Sequence, residues 1–363
     1  MAKIIFTVTN DLSYDQRMHR IAGSLAKQGY EVRLVGRRLP GSADLPQREF
    51  LQKRIRCFFH RGIGFYAEYN FRLFWYLLFR RADMICAIDL DTILPVYLVT
   101  AIKKQQRLYD AHELFSEQKE VLSRPRIHRF WLAVERFTVP RFPKGYTVNE
   151  TIRTELEKRY GVRYAVIRNL PRLTCLSNDP PRTREKWILY QGSVNEGRCF
   201  ETLIPAMQQV NAKLVICGKG NFFEQTRTLI HRYQLQDQIT LRGYVSPEEL
   251  VTLTPQASIG LTLFESEGMN QYYSLANRFF DYIMAGIPQV CVDYPEYAAI
   301  NRVFDIAYPI PDTASGTIAG ALNNLLTDTV LYDRLRENCL SARKVLNWEN
   351  EEQVLISFYK EIA

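Results

Sequence analysis

Short apolar runs, each followed by a polar loop and then a helical period, recur along almost all of the 363 residues, and this alternation confines the chain to an α/β architecture. The first series reads as a strand at Ile4 to Val8, a helix from Asp15 to Lys27 with Met18, Ile21, Ala22 and Leu25 on one face, and a strand at Glu31 to Val35. It continues through strands at Met84 to Ile88, Arg107 to Tyr109, Gly145 to Val148 and Ala165 to Ile167, with helices over Leu94 to Lys103, Arg126 to Val139 and Thr151 to Tyr160. Pro171, Pro180 and Pro181 then interrupt the period, which predicts a linker over 171–186. A second series follows, with strands at Trp187 to Tyr190, Lys213 to Cys217, Ile239 to Leu241, Ser258 to Thr262 and Pro288 to Val292. Strands at this spacing predict two doubly wound parallel sheets with helices on both faces, over 1–170 and 187–345, and a closing helical segment over 346–363. Two cores suit the length, since single cores rarely grow past roughly 250 to 300 residues.

The apolar run at the N-terminus is too short for a secretory signal, and nowhere do apolar residues approach the roughly 18 in a row that a membrane span needs. Seven scattered cysteines without a C-x-x-C pair read as reduced core thiols of a cytoplasmic protein. The net charge of +8 is uneven: residues 1–170 hold 30 Lys and Arg against 17 Asp and Glu. Basic residues alternate with aromatics from Lys53 to Arg61 and from Tyr69 to Arg81, a mixture suited to peripheral contact with an anionic membrane. The competing reading makes Phe71, Phe74, Trp75, Leu78 and Phe79 the buried face of a helix. Nucleic acid is not expected, because no nucleic-acid motif accompanies the charge.

From Gln271 to Val290 the chain reads as a loop, a short helix, a tight turn and a buried strand, with polar groups where the helix begins. The unpaired N–H groups of a first helical turn favour an anion. Asn277 and Arg278 lie there, and Asp281 follows at (i, i+3), so one helix face offers a cation to a diphosphate and a carboxylate to ribose hydroxyls. Ala276-Asn-Arg-Phe-Phe-Asp-Tyr-Ile-Met-Ala-Gly-Ile-Pro288 resembles the donor-site helix of GT-B glycosyltransferases, specifically the retaining family 4. The chain departs from that pattern with Ala276 for a proline, Arg278 for a lysine and Asp281 for a glutamate. Tyr273 stands where the family's other common version has a first glutamate, whose work Glu265 or Glu267 would have to do. The resemblance covers nearly the whole chain. It implies two Rossmann-like domains facing a cleft.

Around Tyr190-Gln-Gly-Ser-Val-Asn-Glu-Gly-Arg198 the resemblance implies donor contacts at Gly192 and a diphosphate cation at Arg198, with Ser193 where many members have a second arginine. It places Gly218 and Gly220 in a glycine-rich turn near the donor, and Tyr244 in a segment passing the nucleobase. Neither a cofactor nor a metal is implied. In the first half, polar loops at the carboxyl ends of strands are where such a sheet binds ligands. These give Asn10, Asp11, Asp89, Asp91, Asp110 and Glu113 as acceptor-side groups, with Asp15 either joining them or capping the following helix. Resemblance places a histidine facing the donor sugar at His112. The catalytic set is thus His112, Asp11 and Asp89, as positioning groups before bases. The implied partners are a nucleotide-sugar donor (UDP or GDP) and a glycan or lipid-linked acceptor. A nucleotide-sugar 2-epimerase, or a non-catalytic binding protein of the same fold, is the alternative.

Overall fold

The computed structural model describes residues 2–173 and 186–362. Most of the expected linker, including Pro180 and Pro181, and Cys175 fall outside those residues; the six described cysteines are free thiols. The chain divides into two units, Met1–Asn169 with Glu351–Ala363, and Leu170–Asn350.

The first unit is built on a parallel sheet of seven strands: β1 (Lys3–Thr7), β2 (Glu31–Arg38), β3 (Leu51–Arg56), β4 (Met84–Ile88), β5 (Gln106–Ala111), β6 (Gly145–Thr147) and β7 (Ala165–Val166), in the order β3-β2-β1-β4-β5-β6-β7. Its central strand β4, Met-Ile-Cys-Ala-Ile, is apolar throughout because helices cover both faces, and every residue of it is buried. Strand order reverses between β1 and β4, so the loops after those strands part and leave a crevice. The second unit has six parallel strands, β8 (Trp187–Gln191), β9 (Lys213–Cys217), β10 (Ile239–Gly243), β11 (Ile259–Thr262), β12 (Gln289–Val292) and β13 (Ala307–Ile310), ordered β10-β9-β8-β11-β12-β13. Its reversal lies between β8 and β11.

The last helix, Trp348–Ile362, enters the first unit from Glu351 onward. Tyr359 on this helix is fully buried against Phe6, Tyr30 and Tyr146, and its hydroxyl lies 3.3 Å from that of Tyr146.

Helix Gly62–Leu78 corrects the expected buried face. It buries Phe65, Tyr69, Leu73 and Leu77, whereas Phe71, Trp75 and Phe79 are exposed. Both sets repeat every four residues. Tyr69 decides between them, because its hydroxyl donates to the Val8 carbonyl at 2.5 Å and ties that side of the helix to the end of β1. The outward aromatics stack on one another: the Trp75 and Phe79 rings lie 5.9 Å apart at 17°, and Phe71 meets Trp75 edge-on.

Candidate functional site

In the first unit the polar loops gather around His112. Asp110, on β5, is fully buried and accepts from Arg17 Nη2 at 3.0 Å, while Arg17 also donates from Nη1 to the Ile167 carbonyl. Arg17 Nε lies 2.9 Å from His112 Nε2, and Asp110 Oδ2 lies 3.1 Å from the same nitrogen. On the other edge of the ring, Asp89 Oδ2 is 3.3 Å from Nδ1, and Asp89 Oδ1 accepts from the His112 backbone N–H at 3.0 Å. Nε2 cannot accept from Arg17 and donate to Asp110 at once, so the proton count decides which contact holds. Burial works against a charged ring, but Asp110 and then Asp89 outweigh it and raise the His112 pKa well above its ordinary value. A protonated ring held at both nitrogens is a fixed electrostatic and positioning group and has no lone pair for base work. Arg17 is the member that sequence reasoning missed. Its signal was position: it stands four residues before Ile21, on the apolar face of the helix Gln16–Lys27.

Asp89 itself has φ 56° and ψ 174°, a conformation that costs a non-glycine residue about 1–3 kcal/mol. Two residues on, Asp91 is 8% exposed and accepts from Thr9 Oγ1 at 2.5 Å. Burial first, and the like charge of Asp89 second, push its carboxyl up to about 7. Native Asp91 therefore keeps its proton between about pH 4, where the unfolded chain loses it, and about pH 7. Stability from this group is fully present below the unfolded pKa and lost as pH rises through that window, by on the order of 4 kcal/mol. Asp91→Asn should flatten the fall in thermal midpoint between about pH 4 and 7. An unchanged slope would mean that Asp91 ionises as an ordinary carboxylate.

Asp89, Asp91, Glu113 and Thr9 line one cleft of about 750 Å³. Asn10 and Asp11 are not among its lining residues. Asn10 donates to Asp15 and accepts from the Leu12 N–H, and Asp11 accepts from the Ser13 N–H and Ser42, so both side chains shape their own loop. Asp15 caps the helix Gln16–Lys27 through the Met18 N–H. Asp110 has no exposed surface with which to meet an acceptor; its oxygens hold Arg17 and His112 instead.

In the second unit the loops after β8 and β9 close on each other. Gly218 is at φ 156°, and a Cβ there would lie 1.7 Å from the Gly192 carbonyl oxygen; one on Gly220 would lie 2.3 Å from the Val194 oxygen. Both glycines thus serve the approach of two loops. Arg198, at the end of the β8 loop, places its guanidinium 4.3 Å from the Phe264 ring centre, and Arg278 lies 4.6 Å from the same ring. Arg278 is 6% exposed; it donates to the Tyr190 hydroxyl at 3.1 Å and to the Leu263 carbonyl at 3.3 Å. It has no carboxylate partner among the described residues, and its Nε–H has no acceptor there. The Gly192 backbone runs alongside, since a Cβ would sit 3.0 Å from Arg278 Nη1. Asn277 opens the helix Asn277–Ala285, while Asp281, on the same helix, accepts from Gln191 Nε2 at 2.9 Å, and Gln191 is fixed in turn by Thr254. Tyr244, just beyond β10, is 54% exposed. Glu265 is tied through its N–H to the Gly197 carbonyl, which brings it beside the Arg198 loop. Phe264, Tyr190 and Gln191 escaped sequence reasoning because residues at the end of a buried strand read as core.

Family comparison supplies the remaining observation. Residues 16–172 match the model described as Glycosyltransferase Family 4, and residues 177–341 match that of Glycosyl transferases group 1. The chain is a group 1 glycosyltransferase of the GT-B fold. Sucrose-phosphate synthase from Thermosynechococcus elongatus superposes on this glycosyltransferase with a TM-score of 0.84 at 16% identity, covering 100% of this chain and 99% of that one. HepE from Anabaena, solved with UDP-glucose, gives 0.77 at 12% identity over 99% and 100% of the two chains. WaaG, a glycosyltransferase involved in lipopolysaccharide biosynthesis, gives 0.76 at 16% over 97% and 98%. At such identities the likeness to these structures is one of fold. No curated protein sequence matches the glycosyltransferase.

Proposed function

We propose that this glycosyltransferase moves a sugar from a UDP- or GDP-sugar to a hydroxyl of a glycan or lipid-linked acceptor, with retention, in the synthesis of a cell-surface polysaccharide or glycoconjugate. One observation supports the donor reading: Arg278 is a buried cation with no carboxylate partner among the described residues, beside Arg198 at the strand-order reversal of the second sheet. Leaving such a charge uncompensated costs several kcal/mol, which an incoming diphosphate offsets. The UDP-glucose in HepE, and the UDP-2-fluoro-glucose in an E. coli trehalose-6-phosphate protein of the same fold, support a nucleotide sugar as that ligand.

In the reaction the acceptor oxygen forms a bond to the anomeric carbon as the bond to the diphosphate oxygen breaks. Arg198, Arg278 and the helix start at Asn277 stabilise the departing charge, and Asp281 takes the ribose hydroxyls. No metal or cofactor is assigned a role. Arg198→Ala should weaken UDP or GDP binding by roughly 1.5–3 kcal/mol, the range for a hydrogen bond to a charged group. Calorimetry on the folded variant tests this, and unchanged affinity would remove Arg198 from the site. Incubation of the donor alone should leave its ring configuration intact; epimerisation without acceptor would favour the 2-epimerase reading.

Exposed aromatics on helix Gly62–Leu78 and its C-cap, set among Arg72, Arg80 and Arg81, support peripheral contact with an anionic membrane at the inner face of the cell. Among the described residues no helix is long and apolar enough to cross a membrane. Sedimentation with anionic liposomes should be strong at low salt and weaken as salt rises, because each basic residue near the surface adds about 1 kcal/mol that screening removes. Trp75→Ser/Phe79→Ser should reduce binding at every salt concentration. Equal binding to neutral and anionic vesicles would count against this reading.

A further inference from the structure

We infer that the cleft of the first unit takes an amphipathic acceptor, with a hydroxylated head at Asp89 and Asp91 and a hydrocarbon or aromatic aglycone along Ile63, Ile127, Phe130 and Trp131. Calling the ligand an acceptor rests on the glycosyl-transfer reading above; the two-ended character of the cleft does not. At about 750 Å³ the space suits a ligand larger than a single hexose.

Its two ends differ in chemistry. The polar end lies where strand order reverses, with Thr9 after β1 and Asp89 and Asp91 after β4. Asp91 is more than nine-tenths buried, and only Oδ2 is occupied, by Thr9; Oδ1 has no hydrogen-bond partner among the described residues. Asp91 lines the cleft, so a ligand hydroxyl can donate to this second oxygen. Asp89 belongs both to this cleft and to the His112 cluster, so a hydroxyl held here lies beside the fixed histidine.

The other end carries an apolar wall, though Gln118, Glu120, Arg124 and Arg126 also line it. Trp131 meets Tyr66 and Phe115 edge-on, with ring centres 5.5 and 5.0 Å apart, which fixes it as a wall. Ile63 and Phe130 stand at the rim, 75% and 56% exposed, where they contribute little to the folded core. A pure sugar would leave these side chains wet, whereas an acceptor with an attached hydrocarbon or ring covers them. This surface is separate from the outward aromatics: Ile63 and Phe79 lie at opposite ends of one helix, about 24 Å apart at 1.5 Å per residue.

The test titrates the full chain with octyl and methyl β-glycosides of glucose, galactose and mannose below the octyl compounds' micelle concentrations, with UDP titrated in parallel. At least one octyl glycoside should bind ten times more tightly than its methyl counterpart. Ile63→Ser/Phe130→Ser should bring the pair within twofold while UDP affinity stays unchanged; Trp75→Ser/Phe79→Ser should leave the octyl gain intact. No gain in any of the three pairs overturns the inference. So does a gain that survives Ile63→Ser/Phe130→Ser or vanishes with Trp75→Ser/Phe79→Ser. Absence of UDP binding strikes the donor reading alone, because the octyl comparison reports the cleft independently.

Discussion

Arg17→Met should destabilise the first unit by up to about 3–5 kcal/mol, the range for removing one partner of a buried ion pair, with His112 left as the remaining cation against Asp110. Asp110 has no solvent contact, and Arg17 is 5% exposed. Burial pushes the Asp110 carboxyl up, but Arg17 and then His112 outweigh it and hold it below the usual range. Stability from this group is therefore present above the unfolded pKa and lost as pH falls through the lower folded value. Replacing both partners, as Arg17→Met/Asp110→Leu, should recover much of the loss, since a buried pair is roughly as stable as a well-packed apolar substitute. Urea unfolding of the single and double variants provides the cycle. A single variant within 1 kcal/mol of wild type would show that solvent reaches Asp110. The two charges would then be a way of orienting His112: the pair fixes the ring from one side as Asp89 fixes it from the other.

How much of this could be read from the sequence depends on whether a residue's role was local. Strands covered on both faces announce themselves, because β4 is apolar throughout and β1 and β8 are apolar apart from Lys3, Thr7 and Gln191 at their ends. β3 does not: Leu-Gln-Lys-Arg-Ile-Arg is an edge strand whose charges keep it from pairing further, and charged alternation resembles a surface loop. Helix Gly62–Leu78 was legible as a helix, but its orientation was not, since two apolar stripes of equal period compete and only Tyr69 reaching Val8 decides. Loops carrying the candidate donor groups could be located, because glycines and cations after buried strands form a local pattern. The pairing of Arg17 with Asp110 spans 93 residues, and no window of sequence contains it. Asp89 and Asp91 were legible as polar groups after a strand, while the apolar wall opposite them comes from a helix that begins at Pro125.

Arg278→Met should move stability and binding in opposite directions, and that divergence is what separates a ligand-binding cation from a structural one. In the folded chain Arg278 keeps two hydrogen bonds, to Tyr190 and Leu263, and lies against the rings of Tyr190 and Phe264 at 4.6 Å each. Ring contacts of this kind contribute about 0.5–2 kcal/mol. Desolvating the charge without a carboxylate costs several kcal/mol. Methionine keeps most of the packing volume and removes the charge, so the ligand-free variant should melt no lower than wild type, and preferably higher. Nucleotide binding should fall by about 10- to 150-fold, the equivalent of 1.5–3 kcal/mol for a lost charged contact. Wild type at 100 times its UDP dissociation constant should gain about 2.7 kcal/mol of stability, and the variant at the same concentration should lose most of that gain. Arg278→Lys, which keeps the charge on a stem lacking the planar fork, should fall between the two. A variant that melts several degrees lower and still binds UDP normally would make Arg278 a packing residue of the Tyr190–Phe264 cluster, leaving the diphosphate to Arg198 and the helix start at Asn277.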